Sequence, residues 1–282
     1  MEILKATLIA VIQGITEFLP ISSSGHIILM KQLLGFEIDS NLFDIVVHFG
    51  TLISVVIFFR VEIAELICGV FRRQTDSKLF NKTFSQSDIL KIWLYMIIAI
   101  IPAGIVGLLL DDFLDTKFTE LGNVRFIILG CLFAVTAVIL LSTKFIKSSK
   151  NTNLYEISWV QALLVGVAQA FAVLPGISRS GTTITAGIAV GMNKEDAGRF
   201  SFLLSIPVIA AAFMLKILKL ALNGVSEAVN IPLLITALAV SALVGFFALK
   251  FLFKILSSKR FWVFSIYMIV PIVVSFVLYF VV

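Results

Sequence analysis

Two stretches of this sequence interrupt apolar runs in a way that restricts the possible folds more than any other feature. Residues 4–35 and 158–192 are each apolar for a few turns, broken at Pro20 or Pro175, then apolar again, and each break is filled with Ser, Gly and charged residues. A helix crossing the hydrocarbon core of a bilayer needs about 20 consecutive apolar residues. Each half is too short to cross alone. Irregular backbone at membrane depth is tolerated only where protein or a water-filled cavity surrounds it. Both stretches are therefore expected to be re-entrant helix–loop–helix hairpins. A single kinked helix is the alternative, but it leaves the run of adjacent small polar residues without a purpose.

The rest of the chain supports a bilayer. Of its 282 residues, 60% are hydrophobic and 14% charged, where a soluble domain is nearer about 45–50% apolar and about 25% charged. Mean hydropathy is +1.09. Segments at about 43–60, 88–110, 123–147, 200–222, 230–254 and 261–281 are long and apolar enough to span. The alternation of a membrane β-barrel is absent. The expectation is an all-α integral membrane protein, one membrane domain over 1–282, with about six transmembrane helices plus the two hairpins. The apolar N-terminus lacks a basic start and a small-residue cleavage site, so it is expected to stay in the mature fold. Cys68 and Cys131 stand singly in apolar stretches and read as packing residues.

A net charge of +5 raises the question of nucleic acid. The basic residues sit in short connectors, however, which is the ordinary orientation signal of membrane proteins. No nucleic-acid partner is expected. Arg72, Arg73, Lys78, Lys82 and Lys91 mark one connector as cytoplasmic, and Asp111, Asp112, Asp115 and Glu120 against Lys117 mark the next as external. Alternating the loops this way puts both termini outside, with the first hairpin dipping from the outer face and the second from the cytoplasm. Lys216 and Lys219 fit this poorly unless they snorkel.

The hairpins also resemble each other. "QGITEFLPISSSG" from Gln13 aligns with "QAFAVLPGISRSG" from Gln169 once one residue is allowed on each side of the proline. Chance likeness of two Gly/Ser-rich turns is the plain alternative. Related halves of about 1–147 and 148–282 entering from opposite faces make an inverted-topology repeat, which places its site near the midplane where broken helices meet.

Each polar run precedes an apolar helix, and Ser, Thr and Gly suit a helix N-terminus, whose first amides lack intrahelical partners. Two such ends converging would bind an anion with more than one phosphate. Candidate donors are Ser22, Ser24 and Gly25 in the first loop and Gly176, Ser178, Arg179, Ser180, Gly181, Thr182 and Thr183 in the second. Simple capping is the competing reading, yet it gives no reason for Arg179. An arginine at membrane depth costs about 2.5–3.5 kcal/mol, and its planar fork suits paired phosphate oxygens. Glu17, with Gln13 one turn before it on the same face, offers acceptors to a divalent cation or to a hydroxyl proton. One carboxylate and one amide suit Mg²⁺ or Ca²⁺ completed by water and phosphate oxygens. A plain Glu17–Arg179 ion pair stays open as well. His26 could serve as nucleophile, acid or phosphate donor, or merely cap its helix. His48, one turn after Asp44, reads as helix packing or as lining of the site entrance. Glu195 and Asp196 read as a solvated helix start.

These motifs together resemble the bacterial undecaprenyl-diphosphate phosphatase family of the bacitracin-resistance type. "QGITE" is similar to its [Glu/Gln]-x-x-x-Glu motif, and "PISSSGH" and "PGISRSGTT" to its other signatures, in matching order over essentially the whole chain. The resemblance implies hydrolysis of undecaprenyl diphosphate to the monophosphate carrier lipid of cell-wall synthesis, in the bacterial cell membrane, with a divalent cation. It implies Ser23 as nucleophile, Glu17 and Gln13 as the acidic motif, His26 as an essential histidine, and Ser178, Arg179 and Thr183 as diphosphate binders. Gln13 stands where many relatives carry Glu, which bears on two-carboxylate metal binding. The expected partners are a polyprenyl diphosphate, the bilayer and a second copy in a homodimer. A transporter or flippase would use the same inverted repeat. An intramembrane serine protease would use Ser and His, but gives Arg179 no role.

Overall fold

The two interrupted stretches fold as short helix pairs. The first is α1 (Glu2–Phe18) and α2 (Ser23–Leu34); the second is α8 (Trp159–Phe171) and α9 (Arg179–Ala189). This is a computed structural model, and it describes residues 1–36, 40–71, 77–79, 82–114, 118–146, 154–223, 230–258 and 260–282. Arg72, Arg73, Asp115 and Lys117, which belong to the connectors read for orientation, lie outside the described residues.

Between and around the hairpins run α3 (Ser40–Phe58), α4 (Arg60–Phe71), α5 (Gln86–Asp112), the single-turn α6 (Phe118–Glu120), α7 (Val124–Ser142), α10 (Lys194–Asn223), α11 (Ile231–Ser257), α12 (Phe264–Tyr267) and α13 (Ile269–Val281). Two three-residue strands, β1 (Ser77–Leu79) and β2 (Lys82–Phe84), pair antiparallel between α4 and α5. Among the described residues five units are long and apolar enough to cross a membrane, α5, α7, α10, α11 and the run Phe261–Val281, or six when α3 and α4 count as one broken span. The chain is a multi-pass, all-α membrane protein. Its large apolar side chains are exposed along most helices, among them Leu109, Val138, Met214, Leu243 and Phe280, as lipid-facing surfaces require.

Local sequence sets the helix ends. α5 and α8 begin with reciprocal capping boxes, Ser85 with Asp88 and Ser158 with Gln161, which satisfy two otherwise unpaired amides each. α3 and α4 meet at a 70° bend. The bend falls where the apolar run gives way to Arg60, Glu62 and Glu65, so α4 continues as helix but leaves the direction of the span.

Packing is reciprocal between the halves. α1 lies along α11 of the second half, and α8 lies along α5 of the first; α7 packs on α13, and α3 on α10. Such an exchange is what a two-fold repeat produces. The match is approximate, since α3 also runs extensively along α11 while α10 meets α5 less. Both hairpins approach their host helices through glycine. A Cβ on Gly14 would lie 2.8 Å from Val244 Cβ, and one on Gly166 would lie 2.5 Å from Ala99 O. Small residues at such crossings let membrane helices pack backbone to backbone.

Three residues depart from their expected surroundings. Asp196 is buried rather than solvated: it accepts from Asn193 Nδ2 at 2.8 Å and from the Leu154 amide at 3.3 Å. It ties the start of α10 to the segment before α8. Cys68 and Cys131 are exposed, on helix faces turned away from the core.

Candidate active site

α1 ends at Phe18 and α8 at Phe171, just ahead of Pro20 and Pro175, neither of which can donate the hydrogen bond that would extend the helix. The loops that follow meet in the centre of the molecule. The Gly176 amide donates to Ser22 Oγ at 3.1 Å, and Ser180 Oγ donates to Leu19 O at 3.3 Å. Ser22 holds φ at 69°, a left-handed conformation rare outside glycine. Its carbonyl accepts from the amide of His26 at 3.2 Å and from His26 Nδ1 at 2.8 Å. Gly176, at φ 99°, has no room for a side chain: a Cβ there would meet Leu132 Cβ at 2.8 Å.

Ser23 and Arg179 each begin the helix after their loop. Both donate to one carboxylate. Ser23 Oγ reaches Glu17 Oε2 at 2.7 Å, and Arg179 Nη2 reaches Glu17 Oε1 at 2.8 Å. Gln13 Nε2 adds a third bond, to Oε2 at 3.1 Å. Glu17 is 8% exposed and Gln13 fully buried, so the cluster lies out of bulk solvent. Among the described residues Arg179 Nη1 is buried and has no hydrogen-bond partner, leaving one arm of the guanidinium for an incoming acceptor. At the start of α9, Ser178 Oγ takes the Gly181 amide at 3.1 Å and Ser178 O takes that of Thr182 at 2.9 Å.

A cavity of about 330 Å³ opens beside this cluster. Its polar end is formed by Glu17, Ser22, Ser23, Ser24, Ser178 and Arg179, and α10 supplies an apolar wall through Val208, Ile209, Ala212 and Phe213. Asp44 and His48 of α3 and Lys216 of α10 line it as well. An ionic cradle next to an apolar wall suits a ligand with an anionic head and a hydrocarbon tail.

Not every residue singled out in the sequence reaches this space. His26 is buried away from it, its Nε2 3.1 Å from Tyr267 Oη and its ring at edge-on contact with Phe133. Thr183 Oγ1 donates to Arg179 O at 2.8 Å and meets Ser201 Oγ at 2.6 Å, facing α10. Thr182 is buried, and among the described residues its hydroxyl has no partner. Gly25 and Gly181 allow close packing, against Phe133 and against Ser178 and Pro20. Conversely, His48, Asp44 and Lys216 belong to the cavity, while the sequence signal for them was only an i, i+4 polar pair on an apolar span and a lysine that fitted the topology badly.

Among the described residues no three His, Cys, Asp or Glu side chains gather as a metal cluster. The donor set still fits part of a cation shell. Gln13 Oε1 is buried without a partner among the described residues, and a half-turn of the amide would bring it to the Nε2 position, 3.1 Å from Glu17 Oε2. Two oxygens about 3 Å apart are adjacent ligands on a small cation with Mg–O of about 2.1 Å.

Comparison with known proteins resolves the kinship. A family model described as Bacitracin resistance protein BacA matches residues 6–274. The chain belongs to the BacA family. Similar curated proteins include the undecaprenyl-diphosphatase of Halothermothrix orenii, 39% identical over 270 residues, covering 95% of this chain and 94% of the relative. The undecaprenyl-diphosphatase of Idiomarina loihiensis is 38% identical over 282 residues, 99% of this chain and 100% of its own. Undecaprenyl-diphosphatase 1 of Pseudoalteromonas translucida is 42% identical over 226 residues, 79% of each chain. The BacA relationship thus spans both hairpins and every helix that lines the cavity.

Proposed function

We propose that this BacA-family protein is an undecaprenyl-diphosphate phosphatase, cleaving the lipid diphosphate to the monophosphate and inorganic phosphate in the cell membrane. The observation that carries this reading is the Ser23–Glu17–Arg179 chain: a hydroxyl, its acceptor and a guanidinium with a spare arm, all facing a cavity with an apolar wall. The isoprenoid lies along the α10 side, and the diphosphate enters between the loops.

In the mechanism, Arg179 Nη1 and the start of α9 bind the diphosphate oxygens, and the bound charge is offset within a low-dielectric site. Glu17 Oε2 accepts the Ser23 proton as Oγ attacks the terminal phosphorus in line, and the lipid monophosphate departs carrying that proton, which leaves Glu17 a carboxylate again. Water then hydrolyses the phosphoserine. Glu17 and Gln13 would hold a Mg²⁺ or Ca²⁺, which when bound supplies positive charge to the phosphate oxygens. His26 supports the strained Ser22 turn from behind. The transporter alternative has nothing specific in its favour, since the cavity pairs a nucleophile with a proton acceptor, which transport does not require.

The test is phosphate release from a polyprenyl diphosphate by purified protein in nanodiscs, with and without chelator. Release that disappears in Ser23→Ala and Arg179→Ala is expected. Transbilayer movement of lipid without any phosphate release would overturn the reading.

A further inference from the structure

The chain has two histidines, and the structure gives them different surroundings. Both nitrogens of His26 are engaged, by Ser22 O and Tyr267 Oη, and its ring does not line the cavity. His48 lines the cavity, and its side chain is 34% exposed there against 7% for Glu17. His48 Nδ1 is 2.8 Å from Asp44 O. A carbonyl only accepts, so Nδ1 carries a proton, and in the neutral ring Nε2 is the acceptor presented to the cavity. That Nε2 lies 3.8 Å from Glu17 Oε2, the same oxygen that accepts from Ser23 Oγ.

Two acceptors at that separation are too far apart for a direct hydrogen bond, yet one water can donate to both at about 2.8 Å each. We propose that His48 Nε2 and Glu17 Oε2 together position the water that hydrolyses the phosphoserine. This rests on the phosphatase reading and extends it to the second half-reaction. The water oxygen bonds to the phosphorus of phospho-Ser23 as the P–Oγ bond breaks. One water proton passes to Glu17 Oε2 and from there to Ser23 Oγ, restoring the carboxylate and the hydroxyl, and phosphate leaves. His48 exchanges no proton and acts as a positioning residue, accepting the second hydrogen of the water. The cavity side is the open approach to Glu17, whose carboxylate is already held by Gln13 and Arg179. Lys216 from α10, and Asp44 with its Lys31 partner at 2.7 Å, are the other charged groups around His48.

The experiment separates the two half-reactions. Wild type, His48→Leu and His48→Gln in nanodiscs are mixed with polyprenyl diphosphate, and lipid monophosphate and inorganic phosphate are followed separately, with phosphoserine measured by mass spectrometry after acid quench. His48→Leu is expected to keep the initial burst of lipid monophosphate, slow steady phosphate release about 10²-fold, as misplacing a reactant does, and accumulate phosphate on Ser23. His48→Gln, whose amide oxygen accepts a similar hydrogen bond, is expected to recover to within about tenfold of wild type. Equal slowing of burst and steady release without phosphoserine, or no change in either, would overturn the proposal. If His48→Leu fails to insert, His48→Asn, shorter and still polar, carries the same expectation. Wild-type protein that releases no phosphate at all would instead remove the phosphatase reading on which this rests.

Discussion

Ser23 and Arg179 hold the same place in two related loops, the first residue of the helix after each break, and one carboxylate, Glu17, accepts from both. Aligning "ISSSG" from Ile21 with "ISRSG" from Ile177 superimposes them in sequence. The two loops are thus unequal where they meet. One provides a hydroxyl, the other a cation, and the acid between them comes from the first hairpin alone, since Val173 occupies the aligned position in the second.

Replacing Arg179 tests that division. Arg179→Ala is expected to lower kcat about 10²–10³-fold, the loss typical of removing one charge-stabilising donor. Arg179→Lys restores the charge but not the two-armed geometry and is expected to recover only part of the rate. Steady-state phosphate release from folded protein measures both.

Glu17→Gln separates stability from chemistry. The Arg179–Glu17 pair is buried, with side chains 16% and 7% exposed, and breaking a buried pair from one side costs about 3–5 kcal/mol. Glu17→Gln is expected to lower the melting temperature and abolish turnover. The double variant Glu17→Gln/Arg179→Gln is expected to recover part of the stability and none of the activity, as thermal unfolding beside an activity assay would show.

Tyr267→Phe addresses His26. Losing the hydroxyl at 3.1 Å from Nε2 is expected to cost about 1 kcal/mol, with phosphate release within about threefold of wild type, because only packing behind the loop is disturbed. A loss of activity as large as that of Arg179→Ala would show that His26 reaches the reacting atoms.

Gly176→Ala forces a side chain into φ 99° and against Leu132. A residue held in such a region costs about 1–3 kcal/mol, and the bond from the Gly176 amide to Ser22 Oγ is expected to be lost with it. Reduced melting temperature together with reduced kcat, at unchanged KM, is the expected pattern.

Much of this architecture is legible in the sequence for a physical reason. Pro102 and Pro207 sit inside helices, but Pro20 and Pro175 come with runs of Ser and Gly that do not continue an apolar helix, and a carboxylate or an arginine inside apolar stretches demands a partner, so the hairpins and the Glu17–Arg179 neighbourhood announce themselves. The bend between α3 and α4 does not. No proline or glycine marks residue 59, and the helix carries on past it, so the apolar count alone suggests a straight span. His48 was half legible: its spacing to Asp44 pointed to a helix face, but which space that face meets depends on α1 and α10 packing from elsewhere in the chain. Asp196 shows the opposite failure. An acidic residue in a first turn reads as solvated by default, and its burial follows from a contact with Leu154, 42 positions earlier.

The bracing of the two loops also bears on biosynthesis. Ser22 and the Gly176 amide that holds it are 154 positions apart, so the ribosome delivers the first turn long before its counterpart exists. Until the later half enters the bilayer, the earlier one has neither its brace nor the cation opposite Glu17. A chain released early carries the Ser23 hydroxyl and Glu17 without Arg179, so the cluster the three side chains form is not assembled in half-made protein.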